Sequence, residues 1–442
     1  MRMKVLLLSL AARGHAVADA LSRSPSRPEI ISIVPARNPG IATIASEMYT
    51  ADLMDFDSVL AIAKKVAPDF AFIAPDDPIG AGLADRFEEI GIRSVAPKMS
   101  LARIESSKGF TRDLMKKHGI DASPKFKVFT ENDPKAIRAF IDELEQQYVV
   151  KYDALKGGKG VKVSGEHLAS AKEGTEYALE CIAECGRVVI EEKLIGVEFS
   201  LISFVSGTQV VDCPAVQDHK RAYEGDEGPN TGGMGTYSDA NHSLPFLEKS
   251  DLARAKEINR LTAEALLKEC GEPYKGILYG GFIAVRDGIR VIEYNARFGD
   301  PEALNILPLL SSDFVDICEA IIDGSLSEDL VTFEKMATVC KYITPQSYPT
   351  GKTEKGAEVI FPDVPANARM YYGDVAQSPD GSLHLGGSRT AGIVGIGKTI
   401  AEAEKIAQSL CEKVEGPIRY RRDIGTTPLL RKRTDLLRSL RS

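Results

Sequence analysis

The first 105 residues alternate short apolar runs with stretches of helical periodicity. The apolar runs lie at residues 5–8, 30–34, 70–73 and 94–96. Helical stretches between them include residues 57–66 and 80–90. Alternation at this spacing predicts a parallel sheet that helices cover on both faces. Ligands usually bind at the loops that follow such strands, which makes residues 9–15 and 75–82 candidates for a binding site.

The amino end admits two interpretations. Basic residues at positions 2 and 4 precede an apolar stretch, residues 5–12, of the length found in secretory signal peptides. A buried first strand of an α/β domain has the same pattern. We favour the strand, because the break at residues 13–15 is followed by the helix-like residues 16–21.

The pattern changes after residue 105. Residues 106–195 indicate an α+β unit with an antiparallel component, because residues 153–159 are too few for a parallel crossover. Residues 196–334 contain long strands and helices, with a hairpin turn at Asp287-Gly288. Residues 335–442 indicate a β-rich unit with a basic tail. We therefore expect a multidomain chain of α/β and α+β class, divided into residues 1–105, 106–195, 196–334 and 335–442.

Composition and charge are those of a globular enzyme. The 442 residues carry a net charge of −8, with 43% hydrophobic and 27% charged residues. An acidic chain has no general affinity for nucleic acid or anionic membranes. No apolar run approaches the roughly 18 residues of a membrane span. We therefore expect no nucleic-acid or membrane partner, and a monomer or a small homo-oligomer.

The seven cysteines are odd in number, scattered and without a Cys-x-x-Cys pair. This usage indicates a reducing compartment, and hence the cytoplasm, and argues against a disulfide framework or a structural zinc site. Cys181 and Cys185 share one face of a predicted helix, and we interpret them as buried thiols.

The carboxy-terminal residues 417–442 carry eight Lys or Arg and two Asp. We interpret them as a solvated tail, with a nucleic-acid arm as the alternative.

The clearest chemical pattern lies at residues 291–302. If residues 291–297 form a strand, Glu293, Asn295 and Arg297 project from one face. A carboxylate and an amide oxygen suit Mg²⁺, with Mn²⁺ as an alternative, and a guanidinium suits a phosphate or carboxylate bound to that metal. The simpler alternative is the polar face of an amphipathic strand.

Two further loops are candidates for anion or substrate binding. Residues 151–161 combine two lysines and three glycines beyond Lys151, so backbone N–H groups can approach an anion closely, although a flexible hairpin with solvated lysines has the same composition. The loop lacks the Ser/Thr and the following helix of a Walker motif. Residues 217–235 place dense charge before a glycine-rich turn, which suits a substrate loop and a surface loop equally. Residues 188–194 form an apolar strand that ends in carboxylates.

Together these features resemble the ATP-grasp superfamily and, within it, the phosphoribosylamine–glycine ligases. The matching segments are residues 107–110, 151–160, 191–198, 217–235, 293–302 and 421–425. The resemblance implies an ATP-grasp fold with an amino-terminal parallel-sheet domain and a carboxy-terminal β-rich domain. It also implies ATP-dependent condensation of glycine with 5-phosphoribosylamine through a glycyl phosphate, in purine biosynthesis, with Mg²⁺ or Mn²⁺.

The resemblance assigns roles to individual residues. Lys108 and Lys151 would contact the ATP phosphates, with Lys151 also catalytic, and Arg297 would stabilise the transferring phosphoryl group and the acyl phosphate. The other implied nucleotide contacts are Gly157, Gly158, Lys159, Gly160, Glu191, Glu192, Leu194 and Glu198. The implied metal ligands are Glu293 and Asn295. The implied substrate contacts are Asp218, Lys220, Thr231, Gly232, Gly233, Met234 and Asp300.

The chain departs from the family in two amino-terminal loops. Residues 9–16 lack three glycines and a Glu of the usual motif but keep Arg13 and His15, and Asp76 replaces a longer carboxylate. Related enzymes use these loops around a phosphoribosyl substrate, so we expect Arg13, His15 and Asp76 there. One alternative is an ATP-grasp ligase for another amine or carboxylate. Another is a nucleotide-binding protein without catalysis, which would not need Lys151, Glu293 and Arg297 together.

Overall fold

The computed structural model describes residues 2–154 and 160–442. Its amino-terminal elements are β1 (Lys4–Leu8), α1 (Ala11–Ser22), β2 (Glu29–Val34), α2 (Pro39–Ile44), β3 (Glu47–Thr50), α3 (Phe56–Val66), β4 (Phe70–Ile73), α4 (Asp76–Gly80), α5 (Leu83–Glu89) and β5 (Ser94–Val95). The strands form one parallel sheet in the order β3-β2-β1-β4-β5. Along β1, Leu6 and Leu8 pack into one core cluster and Val5 and Leu7 into another. The expected parallel sheet, buried on both faces, is confirmed.

The second unit contributes a smaller antiparallel sheet. Its elements are α6 (Met99–Ser106), α7 (Lys108–Lys117), β6 (Phe126–Phe129), α8 (Pro134–Glu143), β7 (Tyr148–Tyr152), β8 (Val161–Val163), α9 (Ala171–Cys185) and β9 (Val188–Glu192). The strands follow the order β6-β9-β7-β8, and each pair is antiparallel, as expected. The side chain of Ser107 accepts a hydrogen bond from the Phe110 amide at 3.0 Å. This cap starts α7 at Lys108, beside the sheet.

The third unit is built on long antiparallel strands. Its elements are β10 (Val197–Ser206), β11 (Gln209–Asp212), β12 (Gln217–Asp218), β13 (Arg221–Tyr223), β14 (Glu227–Asn230), β15 (Gly235–Ser238), α10 (Lys249–Cys270), β16 (Lys275–Val285), β17 (Gly288–Asn295), α11 (Glu302–Ile306) and α12 (Phe314–Asp323). Four strands form a sheet in the order β11-β10-β16-β17, while β13 and β14 pair only with each other among the described strands.

The carboxy-terminal unit shares its sheet with the third. Its own elements are β18 (Ala337–Pro345), β19 (Ala368–Tyr372), β20 (Val375–Gln377), β21 (Leu383–Leu385), β22 (Ala391–Gly397), α13 (Ile400–Cys411), β23 (Ile418–Arg419) and α14 (Thr427–Arg441). The sheet order is β12-β15-β18-β22-β19, with β23 paired to β18. By sequence β12 and β15 belong to the third unit, since they precede residue 334, but their sheet partners belong to the carboxy-terminal unit. The segment between β12 and β15 is therefore attached to both units.

The basic carboxy-terminal segment is docked, and our interpretation of a solvated tail is wrong. Leu429 and Leu437 of α14 are buried. The guanidinium of Arg441 donates to both carboxylate oxygens of Asp251 at 2.8 Å. Apolar burial on one face and ion pairing of the basic residues hold the helix against the third unit.

Within the part of the chain that the structure describes, no helix has both the length and the apolar character that a membrane crossing requires. All seven cysteines lie in this part, and none forms a disulfide. Cys181 is buried as expected, whereas Cys185 is partly exposed and donates its S–H to the Cys181 carbonyl at 3.2 Å.

Candidate active site

The units enclose a cavity of about 730 Å³. It brings together most of the side chains that we singled out in the sequence. These are Arg13, Asp76, Lys108, Lys151, Gly160, Glu191, Glu192, Leu194, Glu198, Asp218, Lys220, Thr231, Gly232, Glu293, Asn295, Arg297 and Asp300. Gly157, Gly158 and Lys159 lie outside the described residues.

One end of the cavity, which we call the Glu191 end, consists of Arg112, Lys151 and Glu191. Both carboxylate oxygens of Glu191 accept hydrogen bonds from Arg112, at 2.6 and 3.1 Å, and Lys151 lies 2.6 Å from the second oxygen. All three side chains are at most 7% exposed. Burial acts to raise the pKa of Glu191, but Arg112 and then Lys151 outweigh it and lower that pKa to about 2. Two cations against one anion leave this end with a net charge of +1.

A β-bulge connects this end to the next part of the site. In β17 the buried residues are Ile289, Val291 and Tyr294. The first two are two positions apart in the sequence and the last two are three positions apart. The extra residue is Ile292, because Val291 faces Phe282 and Glu293 faces Gly281. A bulged residue leaves backbone groups outside the ladder. The Ile292 carbonyl accepts instead from Lys151 at 3.0 Å and from Arg112 at 2.8 Å.

The bulge also turns Glu293 and Asn295 into the cavity. Strict alternation from Ile289 and Val291 would have placed both on the core face. The strand ends at Asn295, so our prediction of a strand over residues 291–297 is wrong for its last two residues, and Arg297 occupies the turn that follows. The three side chains nevertheless line one cavity, as the sequence predicted.

Glu293 and Asn295 have the donor chemistry for a hard divalent cation. Burial acts to raise the pKa of Glu293, but Lys220, Lys108, Lys151 and Arg297 outweigh it, so the pKa is lowered and the carboxylate stays ionised. Its Oε1 lies 3.7 Å from Lys220 Nζ, too far for a hydrogen bond. Over residues 2–154 and 160–442, no group of three or more His, Cys, Asp and Glu residues could hold a metal ion. The Glu293 carboxylate and the Asn295 amide oxygen are hard donors that fit Mg²⁺ in its usual mode, in which water and phosphate oxygens complete the coordination.

The opposite end, which we call the Glu302 end, consists of Asp218, Lys220, Arg297 and Glu302. Burial and then the nearby Glu302 raise the pKa of Asp218 well above its usual value. Burial also raises the pKa of Glu302, which accepts a hydrogen bond from the Tyr279 hydroxyl at 2.9 Å. Such a carboxyl pair is suited to hold a cationic group, because a cation would let both carboxyls ionise.

Arg297 also belongs to a cluster of charged residues at the junction with the amino-terminal domain. It lies 2.9 Å from Glu105 and 3.5 Å from Asp76, and Arg13 lies 4.0 Å from Asp76. Burial acts to raise the pKa of Asp76, but Arg297 and Arg13 outweigh it and lower that pKa. Among the described residues, the Nε atoms of Arg13 and Arg297 are buried without a hydrogen-bond partner. The cluster therefore retains donors for an anion.

Three residues expected at the substrate lie elsewhere or only beside it. His15 packs between the first and last units, where Nδ1 accepts from the Tyr372 amide at 3.0 Å and the ring stacks on Tyr372. Burial lowers the pKa of His15 to about 4. Met234 is fully buried in the core. Gly233 lies behind the cavity wall, and its amide donates to Thr231 Oγ1 at 3.0 Å.

Three arginines that line the cavity escaped the sequence reasoning, namely Arg112, Arg389 and Arg433. Arg112 lies four residues after Lys108 on α7, and this spacing is a signal that could have found it. Arg389 donates to the carbonyls of Gly232 at 2.7 Å and Asp300 at 2.9 Å. It comes from a loop of the carboxy-terminal unit, and we see no local pattern that predicts this contact.

Comparison with known families covers most of the chain. Residues 3–105 match the phosphoribosylglycinamide synthetase N domain, residues 106–303 its ATP-grasp (A) domain and residues 338–427 its C domain.

Individual relatives agree over their full lengths. The chain is 47% identical over 441 residues to the phosphoribosylamine–glycine ligase of Methanocorpusculum labreanum, with 100% of both chains covered. It is 45% identical over 439 residues to that of Methanosarcina barkeri, with 99% of this chain and 100% of the relative covered.

Solved structures give the same result. The crystal structure of phosphoribosylamine–glycine ligase from Thermotoga maritima has a TM-score of 0.80 at 29% identity, with 95% of this chain and 100% of that chain covered. A biotin carboxylase domain from Hydrogenobacter thermophilus has a TM-score of 0.71 at 16% identity, with 98% of this chain and 93% of that chain covered, and so shares the ATP-grasp fold. With family matches over three successive segments, the chain belongs to the phosphoribosylglycinamide synthetase family.

Proposed function

We propose that this chain is an ATP-dependent ligase that joins glycine to 5-phosphoribosylamine, releasing ADP and phosphate, in purine biosynthesis. The observation that carries the proposal is the full-length match to relatives named phosphoribosylamine–glycine ligase. The cavity supports it, because Lys151, Glu293 and Arg297 meet in one space that is large enough for a nucleotide and a second substrate.

The proposed reaction has two steps. A carboxylate oxygen of glycine attacks the γ-phosphorus of ATP, the bond to the β–γ bridging oxygen breaks, and ADP leaves with those electrons. The amine of phosphoribosylamine then attacks the carbonyl carbon of the glycyl phosphate, the carbon–oxygen bond to phosphate breaks, phosphate leaves with those electrons, and the nitrogen loses a proton to solvent. Since each step develops negative charge on the oxygen of its leaving group, the protein contributes mainly by positioning reactants and neutralising charge.

The nucleotide fits the Glu191 end. We assign Lys108 and Lys151 to the phosphates, together with the loop at residues 157–160. Glu192 ends β9 and Leu194 follows it at the cavity wall, where their backbone groups can bind the adenine, and Glu198 is assigned to the ribose. Both oxygens of Glu191 already accept from Arg112 and Lys151, so we assign it to holding Lys151 rather than to the base.

Glu293 and Asn295 would hold Mg²⁺, or Mn²⁺ in its place, which would neutralise charge on the nucleotide phosphates. Arg297 is assigned to the transferring phosphoryl group, because its Nε remains available beside two carboxylates.

The Glu302 end fits the substrates. The carboxyl pair Asp218 and Glu302 is assigned to the ammonium group of glycine, beside Lys220 and the backbone of Thr231 and Gly232. Arg13 and Asp76 are assigned to the phosphoribosyl part. The altered loop is consistent with this, because a Cβ at Gly14 would lie 1.9 Å from Ser9 Oγ. Ser9 thus occupies the space of the missing residue-14 side chain, while Arg13 keeps its place at the cavity.

We also infer a cytoplasmic enzyme that acts on small molecules as a monomer or small homo-oligomer. The cytoplasmic assignment is supported by seven cysteines that are scattered and form no disulfide within the described chain.

The proposal is tested by measuring ATP consumption with Mg²⁺, glycine and freshly prepared phosphoribosylamine. We expect turnover that requires both substrates and yields glycinamide ribonucleotide. A panel of other amines and amino acids tests the altered loop at residues 9–16. Preference for another amine would replace phosphoribosylamine in the proposal, and ATP binding without turnover on any pair would overturn the enzymatic assignment.

A further inference from the structure

The hairpin formed by β13 and β14 belongs to no larger sheet among the described strands. It leaves the cavity wall after Lys220 and returns at Thr231. All four residues of β14 are exposed. The connecting turn, Glu224–Asp226, places Gly225 and Asp226 at positive φ values of 75° and 66°. An isolated two-stranded hairpin is marginally stable in water, so contacts with other elements must set its position.

The base of this hairpin is part of the candidate site. The Lys220 carbonyl accepts from the Thr231 amide at 2.7 Å and from Thr231 Oγ1 at 2.9 Å. Both residues line the cavity. A shift of the hairpin would therefore move two side chains that we assign to substrate.

The basic carboxy-terminal segment binds the acidic residue of the turn. Arg421 is fully buried and donates to Asp226 Oδ1 at 3.1 Å and to the Arg221 carbonyl at 3.1 Å. Arg433 of α14 donates to Asp226 Oδ2 at 2.5 Å. The two arginines thus hold both carboxylate oxygens of Asp226, whose own backbone conformation is an unfavourable one for a residue with a side chain.

The rest of the turn is held by the same segment. The Gly225 amide donates to Asp423 at 3.0 Å, and the Gly225 carbonyl accepts from Lys432 at 3.0 Å. Glu224 accepts from the Arg422 amide at 3.1 Å. Every residue of Glu224–Asp226 therefore bonds to residues 421–433, through the side chains of Arg421, Asp423, Lys432 and Arg433 and the amide of Arg422.

The segment also acts on the electrostatics of the cavity wall. His219 precedes Lys220 and lines the cavity. Burial, followed by the nearby Arg421 and Arg433, lowers the pKa of His219 to about 4, against the opposing effect of Asp226. His219 is thus kept neutral at physiological pH.

We propose that residues 421–433 are a positioning element of the active site, in which Arg421 and Arg433 hold Asp226 and thereby fix Lys220 and Thr231 at the substrate. Arg421 does not line the cavity and acts through Asp226, whereas Asp226 and Arg433 themselves line the cavity wall, where their contact with each other holds the turn. The identity of the affected substrates rests on the proposed function.

The test compares Arg433→Ala, Arg433→Lys, Asp226→Ala and the double variant Arg433→Ala/Asp226→Ala in steady-state kinetics. For Arg433→Ala we expect KM for glycine or phosphoribosylamine to rise about tenfold, a change that corresponds to the loss of one charged contact. KM for ATP should change less than about twofold, because the Glu191 end is untouched. Arg433→Lys should restore most of the affinity. The double variant should be no worse than the worse single variant, because both changes remove the same contact.

Two variants on the same helix serve as controls. Arg438 is 76% exposed and pairs only with Asp435 among the described residues, so Arg438→Ala should match the parent. Arg441→Ala loosens the docking of α14 at Asp251 without touching the turn. If Arg441→Ala raised KM as much as Arg433→Ala, general docking of the helix would explain the effect and the proposal would fail.

Hydrogen exchange of residues 221–230 provides a readout that needs no substrate. We expect faster exchange in Arg433→Ala and Asp226→Ala and parent-like exchange in Arg438→Ala. Unchanged exchange in the first two variants would overturn the positioning role even if turnover fell. Absence of turnover in the parent would instead count against the proposed function, since the exchange comparison stands without it.

Discussion

The two ends of the cavity differ in how closely their charged side chains are paired. At the Glu191 end, Arg112 and Lys151 lie within 3.1 Å of Glu191, and every charge has a partner in the protein. At the Glu302 end, Lys220 lies 3.8 Å from Glu198 and 3.7 Å from Glu293, and Asp218 has a raised pKa. At the Glu191 end each charge has an oppositely charged partner at hydrogen-bond distance, and a net charge of +1 remains, whereas at the Glu302 end no carboxylate of the described residues lies that close to Lys220.

This difference separates folding from catalysis. Charges paired at hydrogen-bond distance contribute to the folded state whether or not substrate is present. Charges held apart are costly in the empty enzyme and gain most when a charged substrate enters. We therefore expect removal of Glu191 to reduce stability, and substitutions near the Glu302 end to reduce turnover.

The largest effect is expected for Glu293→Ala. The carboxylate is a proposed metal ligand next to the Glu302 end, and its 3.7 Å separation from Lys220 makes it a weak structural contact. We expect kcat to fall about 1,000-fold, which corresponds to about 4 kcal/mol, and the free energy of unfolding to change by less than about 1 kcal/mol. Turnover assays and urea denaturation of the same preparation measure both. A large loss of stability with retained activity would reverse the comparison.

Glu191→Ala should show the opposite behaviour. Removing this anion leaves Arg112 and Lys151 as uncompensated buried cations, so we expect a loss of about 3–5 kcal/mol in the free energy of unfolding. Glu192→Ala is the matched control, because the adjacent carboxylate is half-buried and bonds the exposed Lys125 amide. Its expected loss is about 1 kcal/mol or less. Equal effects of the two variants would show that the Glu191 cluster has no special role in folding.

The sequence predicts this contrast only in part. Glu293, Asn295 and Arg297 form a local motif, and their convergence on one cavity is predictable from it. The reason they converge is the bulge at Ile292, whose signal is the change in apolar spacing between Val291 and Tyr294. We read the segment as a regular strand, and strict alternation would have placed Glu293 in the core.

Contacts between segments that are distant in the chain could not be predicted from the sequence. Arg389 reaches Gly232 across 157 residues, and Arg433 reaches Asp226 across 207. Periodicity describes neighbours along the chain, so it identified α14 only as a basic stretch. The acidic partners at Asp226 and Asp251 are distant in sequence, and only the fold brings them to the helix.

Arg297→Lys sharpens the comparison within the Glu302 end. The guanidinium reaches Glu105 at 2.9 Å and Asp76 at 3.5 Å while keeping a free Nε. An ammonium cannot reproduce this planar arrangement. We expect kcat to fall about 100-fold, or about 2.7 kcal/mol in activation free energy, with ATP binding retained. Arg290→Lys, at a surface pair with Asp287, provides the control, and near-parent kcat in Arg297→Lys would remove that residue from the chemistry.

The smallest effect is expected at residues 9–15, where the Glu302 end stops between Arg13, which lines the cavity, and His15, which does not. Arg13 enters the cavity, but His15 packs against Tyr372 with its pKa lowered to about 4 by burial. A pKa below the unfolded value of about 6.5 means that the unfolded chain binds more protons between these values, so stability is complete above about pH 6.5 and falls as the pH drops toward 4. The loss from pH 7 to pH 5 should be about 2 kcal/mol from His15 alone.

His15→Gln should therefore flatten the dependence of stability on pH between 5 and 7, and the loss of the ring packed on Tyr372 should lower stability at pH 7. The packing role also requires that His15→Gln affect KM for phosphoribosylamine far less than Arg13→Gln does. Denaturation curves at each pH and substrate titrations measure the two effects. If His15→Gln raised that KM as much as Arg13→Gln, the packing role of His15 would be wrong. His15 would then contribute to substrate binding together with Arg13.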